Sequence, residues 1–212
     1  RGQARWWGGA GRGGDGGVGR GGSRWAGLGN WGVGSGCVVP GAGWREREGR
    51  GGGAVLARAF LRGGGVGEIW TDVRCIEVLG ECAKAAGCAE NTARIAPASL
   101  KERAPDGIIF VERLRRAADG RYYNFKKQDI SEWTAPLDAL ADEAAGLGIH
   151  TIGIGDGGNE AGMGNFYAEL CALLPGYAAC LSVVRAEFAL TAAVSNWGAY
   201  ALAEARSLVG GV

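Results

Sequence analysis

Residues 107–111 read Gly-Ile-Ile-Phe-Val, five positions without one polar side chain. A strand that alternates can leave one face in water, but an unbroken apolar strand has to be covered on both. Cover on both faces means helices above and below a sheet, and therefore parallel strands joined by helical crossovers. The neighbouring sequence supplies them. Residues 54–62 (AVLARAFLR) predict an amphipathic helix ended by Gly63, Gly64 and Gly65, residues 68–71 a short strand, and 76–86 a second helix stopped by Gly87. After the 107–111 strand, 136–146 predict a helix opening at Pro136, 149–154 a strand, 159–174 a helix, 179–184 a strand and 186–208 mostly helix. The expected fold class is α/β, a Rossmann-like, open, mostly parallel sheet of four strands with about five flanking helices.

Upstream of residue 54 the composition changes. Of the 42 glycines, 22 lie in residues 1–53 with five of the eight tryptophans, and that stretch has no Ile, Phe, Tyr, Lys or Met. So little large aliphatic surface cannot offset the entropy of ordering, and disorder is expected there. This places a low-complexity Gly/Arg/Trp-rich segment at 1–50 and the folded domain at 51–212. Eight arginines against Asp15, Glu46 and Glu48 give residues 1–50 a net charge of +5 within a chain whose total is only +1. Arg-Gly-Gly triplets at Arg12, Arg20, Arg50 and Arg62 resemble single-stranded RNA contacts. Their small number and irregular spacing do not make nucleic acid the expected partner. An organelle leader shares the arginine bias, but the glycine content opposes the amphipathic helix such leaders form.

Other classes are excluded by arithmetic. The longest uncharged stretch, 25–44, holds seven glycines and Pro40, so no membrane span is expected. Six cysteines with one histidine and no Cys-x-x-Cys give neither a disulfide scaffold nor a zinc site. Reduced, buried thiols in a soluble intracellular protein are expected, with the mitochondrial matrix or another organelle as candidate compartments. The chain starts at Arg1 and its one methionine is Met163, which suggests a fragment, a processed chain or an incomplete gene model.

Ligands of open parallel sheets bind outside the carboxyl ends of the strands. The four predicted strands exit into Thr71-Asp72, Glu112-Arg113, Gly155-Asp156 and Arg185 to Glu187. The densest segment is Thr151-Ile-Gly-Ile-Gly-Asp-Gly-Gly-Asn-Glu-Ala-Gly-Met-Gly164. Gly153, Gly155 and Gly158 satisfy the dinucleotide pattern G-x-G-x-x-G, but Asp156 would repel a pyrophosphate and no acid ends the next strand. A turn carrying Asp156, Asn159 and Glu160 better suits an ammonium group, a carboxylate on backbone N–H groups, or a hard metal ion. Asp119 and Asn124 lie in a polar segment, RAADGRYYN, that could form a substrate-facing loop. Ser195-Asn196-Trp197-Gly198 interrupts an apolar helix with good capping residues that could face the crevice. His150 precedes its strand, at the end away from the crevice.

VERLRRAADGRYYN, TIGIGDGGNEAGMGNF and VSNWGAYAL, in this order, together with GAVLARAFLR and EIWTD, resemble the C-terminal domain of the D-glutamate cyclase family over about residues 51–206. The resemblance implies a carbon–oxygen hydro-lyase that closes D-glutamate to 5-oxo-D-proline, with a glutamate-like small-molecule partner and no required cofactor. It implies catalytic roles for Asp156, Glu160, Asp119 and Glu112. Substrate binding would fall to Arg113, Asn124, Gly155, Gly157, Gly158, Asn159, Glu187, Ser195, Asn196 and Trp197. A divalent metal, if used, would fall on Asp156, Asn159 and Glu160. Two segments depart from the family pattern: REGRGGGA at 47–54 replaces a TDGPPGA-like turn, and VVRAEF at 183–188 replaces a DVEADF-like one. The first departure favours an alternative, a non-catalytic amino-acid-binding module on the same fold; a nucleotide-dependent enzyme is a further one.

Overall fold

The computed structural model describes residues 29–36 and 48–210. Six strands form one parallel sheet: β1 Asn30–Ser35, β2 Val66–Thr71, β3 Ala93–Ile95, β4 Gly107–Val111, β5 His150–Gly155 and β6 Phe188–Thr191, in the order β3-β2-β1-β4-β5-β6. Five α-helices accompany them: α1 Arg50–Arg62, α2 Ile76–Ala85, α3 Ala139–Leu147, α4 Tyr167–Leu173 and α5 Ser195–Gly210. The expected parallel α/β architecture is present, and β4 has the bounds read from its apolar run.

Both faces of that run are buried. Ile109 and Val111 join Val33, Ile152 and Ile154 beneath Leu56 and Phe60 of α1 and Ala199 and Ala203 of α5. Ile108 and Phe110 point the other way, onto Leu140, Ala141 and Ala144 of α3. A third cluster, Ala54, Ala57, Ile69, Leu79 and Ala83, fastens α1 and α2 to β2. Each side chain of that size contributes roughly 1.5–3 kcal/mol on full burial, so β4 is the best-anchored strand in the sheet.

Four expectations are corrected. Disorder through residue 53 fails for 30–35 and 48–53: the former is β1, paired with both β2 and β4, and the latter enters α1. The rest of that expectation, residues 1–28 and 37–47, lies outside the described residues. Residues 179–184 are not a strand. They cross over the 158–164 segment through Ser182 N to Gly158 O and the Gly162 and Gly164 amides to Val184 O. Leu181 and Val184 are buried there, so burial without sheet pairing produced the strand-like apolar signal. The sixth strand is instead 188–191, inside the stretch expected to be helical, and the 159–174 helix is reduced to a 3₁₀ turn at 163–166 followed by α4.

Glycines set how closely the backbone layers approach. A Cβ at Gly153 of β5 would lie 2.1 Å from the Ala161 carbonyl and 2.7 Å from Gly162 Cα, so the strand and the following turn meet backbone to backbone. A Cβ at Gly80, in α2, meets nothing within 4 Å. Gly153→Ala is expected to destabilise the fold by about 1–3 kcal/mol through overpacking. Gly80→Ala is expected to stabilise it by roughly 0.5–1 kcal/mol. Urea midpoints should move in opposite directions, and equal shifts would show that the contact at Gly153 relaxes.

Candidate active site at the switch point

The strand order reverses between β1 and β4, and an open sheet forms its crevice there, at the carboxyl ends. Four chain segments meet at this point: the end of β1 at Ser35, the entry to α1 at Glu48 to Arg50, the β4 exit at Glu112, and the β5 exit at Asp156 facing the start of α5. Gly49 has φ +78°, and a Cβ there would stand 2.6 Å from Glu112 Cβ and 2.8 Å from the Val111 carbonyl. Only glycine lets the α1 entry lie against the β4 exit.

Glu112 itself is left-handed, φ 49°, an uncommon conformation for a residue with a side chain. It is 8% exposed, its amide donates to Ile154 O at 3.0 Å, and its Oε2 accepts the Ser195 hydroxyl. Asp156 Oδ2 accepts the Ser195 amide at 3.1 Å, so one residue at the α5 N-terminus binds both acids. Asn196 Oδ1 accepts the Gly52 amide at 2.8 Å and joins the first turns of α5 and α1. Carboxylate oxygens of Glu48, Glu112 and Asp156 all lie within 4.8 Å of one another. Three such charges repel by about 1–3 kcal/mol per pair between water-like and protein-like screening. Oxygens of three acids gathered in one place suit an ammonium group or a hard divalent cation.

The sequence-predicted residues divide. Glu112, Asp156, Ser195 and Asn196 converge as described, with Trp197 beside them and 62% exposed. Glu160 is 1% exposed, and its two oxygens accept the Gly157 amide at 2.9 Å and the Gly158 amide at 2.7 Å. It lies under Gly155, where a Cβ would come within 2.7 Å of its Oε2. The amides of Gly157 and Gly158, expected to hold substrate, thus hold the turn's own acid. Asn159 donates to the Tyr123 carbonyl at 2.8 Å, and among the described residues the acids that converge are Glu48, Glu112 and Asp156.

Arg113 is fully buried and directed inward, donating to Gly36 O, to Asp72 Oδ2 at 3.1 Å and to Ala135 O at 2.6 Å. Asn124 organises its own loop through the Lys126 and Gln128 amides. Asp119 is exposed; the Tyr123 hydroxyl, at 2.5 Å, holds its pKa below the ordinary value, which makes it a poor proton donor at neutral pH. Glu187 is a correction. It precedes β6 rather than following a strand, and it meets His150 Nδ1 at 2.7 Å at the amino end of the sheet. Glu48, Arg50 and Ser35 were missed because they stood in the segment read as low-complexity. The glycine-rich sequence Gly-Arg-Gly-Gly-Gly at 49–53, at the entry to α1, was the available signal of a tight strand-to-helix turn.

Burial pushes the Glu160 carboxyl up to about 7, opposed by the Gly157 amide and reinforced by the Asp156 charge. A carboxyl whose pKa is higher folded than unfolded adds stability that is complete below its unfolded pKa and is lost as pH rises through about 7. Unfolding free energy should therefore fall between about pH 5 and pH 7, by on the order of 1–3 kcal/mol. Glu160→Gln should flatten that slope in chemical denaturation series. A slope unchanged in the variant would assign the pH dependence to other groups.

Comparison with known proteins gives the family. A family model described as D-glutamate cyclase-like, C-terminal, matches residues 20–211. A 99-residue stretch is 43% identical to human D-glutamate cyclase, mitochondrial, covering 46% of this chain and 16% of the human protein. With β1, both crevice-forming helices and all three converging acids inside the matched span, the chain belongs to the D-glutamate cyclase-like C-terminal family.

Proposed function

We propose that this domain catalyses dehydrative cyclisation of D-glutamate to 5-oxo-D-proline. The observation that carries the reading is the convergence of Glu48, Glu112 and Asp156 at the switch-point crevice, where two helix N-termini face them. The substrate ammonium is the cation the three acids favour. Asp156, the most exposed of them, takes one ammonium proton and frees the amine. The amine attacks the γ-carboxyl carbon; the new C–N bond closes the ring and one C–O bond breaks. Glu112, enclosed and oriented by Ser195, gives one proton to the departing oxygen, and the second proton lost by nitrogen after the attack joins it, so that the oxygen leaves as water. Gly52 N and Gly53 N in the first turn of α1 are occupied by Asn196 and Gly49 O, and the turn's remaining amides are the donors for the tetrahedral oxyanion. Binding glutamate folded toward its ring supplies the proximity contribution. Glu160 holds the 155–158 turn rather than touching substrate.

A divalent cation is a second reading, favoured by three hard oxygen ligands within 4.8 Å. Glu48, Glu112 and Asp156 would hold it, and it would supply charge stabilisation at the reacting carboxyl. The matched span is a small part of the human relative, so its mitochondrial setting is carried over here only as part of this proposal. Among the described residues no helix is long and apolar enough to cross a membrane.

The test follows D- and L-glutamate by NMR with the full chain, with and without Mg²⁺ or Mn²⁺. Ring closure of the D form is expected, with Glu112→Gln and Asp156→Asn each lowering kcat by about 100-fold or more. A folded protein that binds D-glutamate without turning it over would make this a binding module. Full activity in both variants would remove these residues from the chemistry.

A further inference from the structure

Arg50 opens α1 and is 9% exposed, and its Nε and Nη2 are buried with no hydrogen-bond partner. These two nitrogens are the pair along one edge of the guanidinium, the edge that meets both oxygens of a carboxylate side by side. A buried cation with that edge bare is an expensive arrangement unless a ligand completes it. Its neighbour Arg113 differs, since Asp72 and two carbonyls already engage it.

Two more buried donors stand unpaired at the neighbouring strand ends. Ser35 Oγ and Thr71 Oγ1, at the ends of β1 and β2, are fully buried and without partners. A Cβ at Gly49 would lie 3.1 Å from Ser35 Oγ, which places that hydroxyl against the α1 entry from which Arg50 projects. A Cβ at Gly36, the residue after Ser35, would lie 3.2 Å from Thr71 Oγ1, which places that hydroxyl against the end of β1. Arg50 and the two hydroxyls therefore stand where the carboxyl ends of β1 and β2 meet the α1 entry. Glu48, two residues before Arg50, belongs to the acidic group on the β4–β5 side.

We infer that Arg50, Ser35 and Thr71 form a carboxylate subsite, so that the crevice reads a zwitterion: carboxylate on the β1–β2 side, ammonium on the β4–β5 side. This rests on the proposed function for the identity of the natural ligand, whereas the subsite can be tested without turnover.

Glutarate, which has both carboxylates of glutamate and no ammonium, is the probe, titrated calorimetrically into the full chain and into Arg50→Met, Arg50→Lys and Ser35→Ala. Arg50→Met is expected to weaken glutarate about 10- to 100-fold, the range of charged hydrogen bonds. Arg50→Lys should recover part of the loss, and Ser35→Ala should weaken binding about 3- to 10-fold. The melting temperature of unliganded Arg50→Met should hold or rise, because an unpaired buried charge is removed; a structural arginine would lower it. Should Arg50→Met not fold, Ser35→Ala and Thr71→Val carry the test alone. Wild-type affinity in the Arg50 or hydroxyl variants, or no glutarate binding by the wild type, would overturn the subsite. Glutarate binding that needs Arg50, in a protein that leaves D-glutamate unreacted, would instead remove the cyclase reading and leave the subsite standing.

Discussion

The sheet is one body because β1 lies between β2 and β4, and β1 can lie there because two of its residues have no side chain. Gly32 and Gly34 face the rings of Trp70 and Phe110; a Cβ would come within 2.4 Å of the first ring and 2.8 Å of the second. The two aromatics from the flanking strands thus cover β1 on one face, while Trp31 and Val33 fill the other beneath α1 and α5. A β-branched residue in either glycine position would expel a ring from the core. The reversal of strand order across β1 and β4, and with it the crevice, follows from this packing.

The crevice concentrates charge that the core cannot accept. Acids gather on the β4–β5 side, where Ser195 supports two of them and the α5 N-terminus faces them. Arginines gather on the β1–β2 side, one compensated by Asp72 and one not. Opposite charges kept on separate banks fit a zwitterionic small molecule better than a pyrophosphate. The same separation accounts for Asp156 standing where a dinucleotide fold would have a bare glycine turn.

The readable parts of the molecule were those where one local pattern has one structural outcome. GIIFV at 107–111 can be buried on both faces only as a central strand, and the glycines after 62 and 86 stop helices for reasons internal to the backbone, whereas the helix expected to close at Gly146 runs on to Gly148. Glu112, Asp156 and Ser195 were legible because strand exits and helix caps are local features. The failures share a cause in competing signals. NWGVGS has the composition of a linker and becomes a strand only when Trp70 and Phe110 lie across it. Apolar residues at 181–184 are buried by a crossing segment, not by a sheet, and Phe188 to Thr191 reads as helix until β5 offers it an edge.

By itself the sequence determined the alternation of helix and strand, the parallel sheet and the concentration of acids at strand exits, because periodicity and chain stiffness act over a few residues. Which acids meet was decided only by tertiary structure. Glu48, Glu112 and Asp156 are separated by 64 and 44 residues and are brought within 4.8 Å by the close approach of Gly49 to the β4 exit. Glu160, four residues from Asp156, is instead turned inward by the Gly157 and Gly158 amides. Proximity along the chain and proximity in the crevice diverge because strand order, not residue number, sets which strand ends are neighbours.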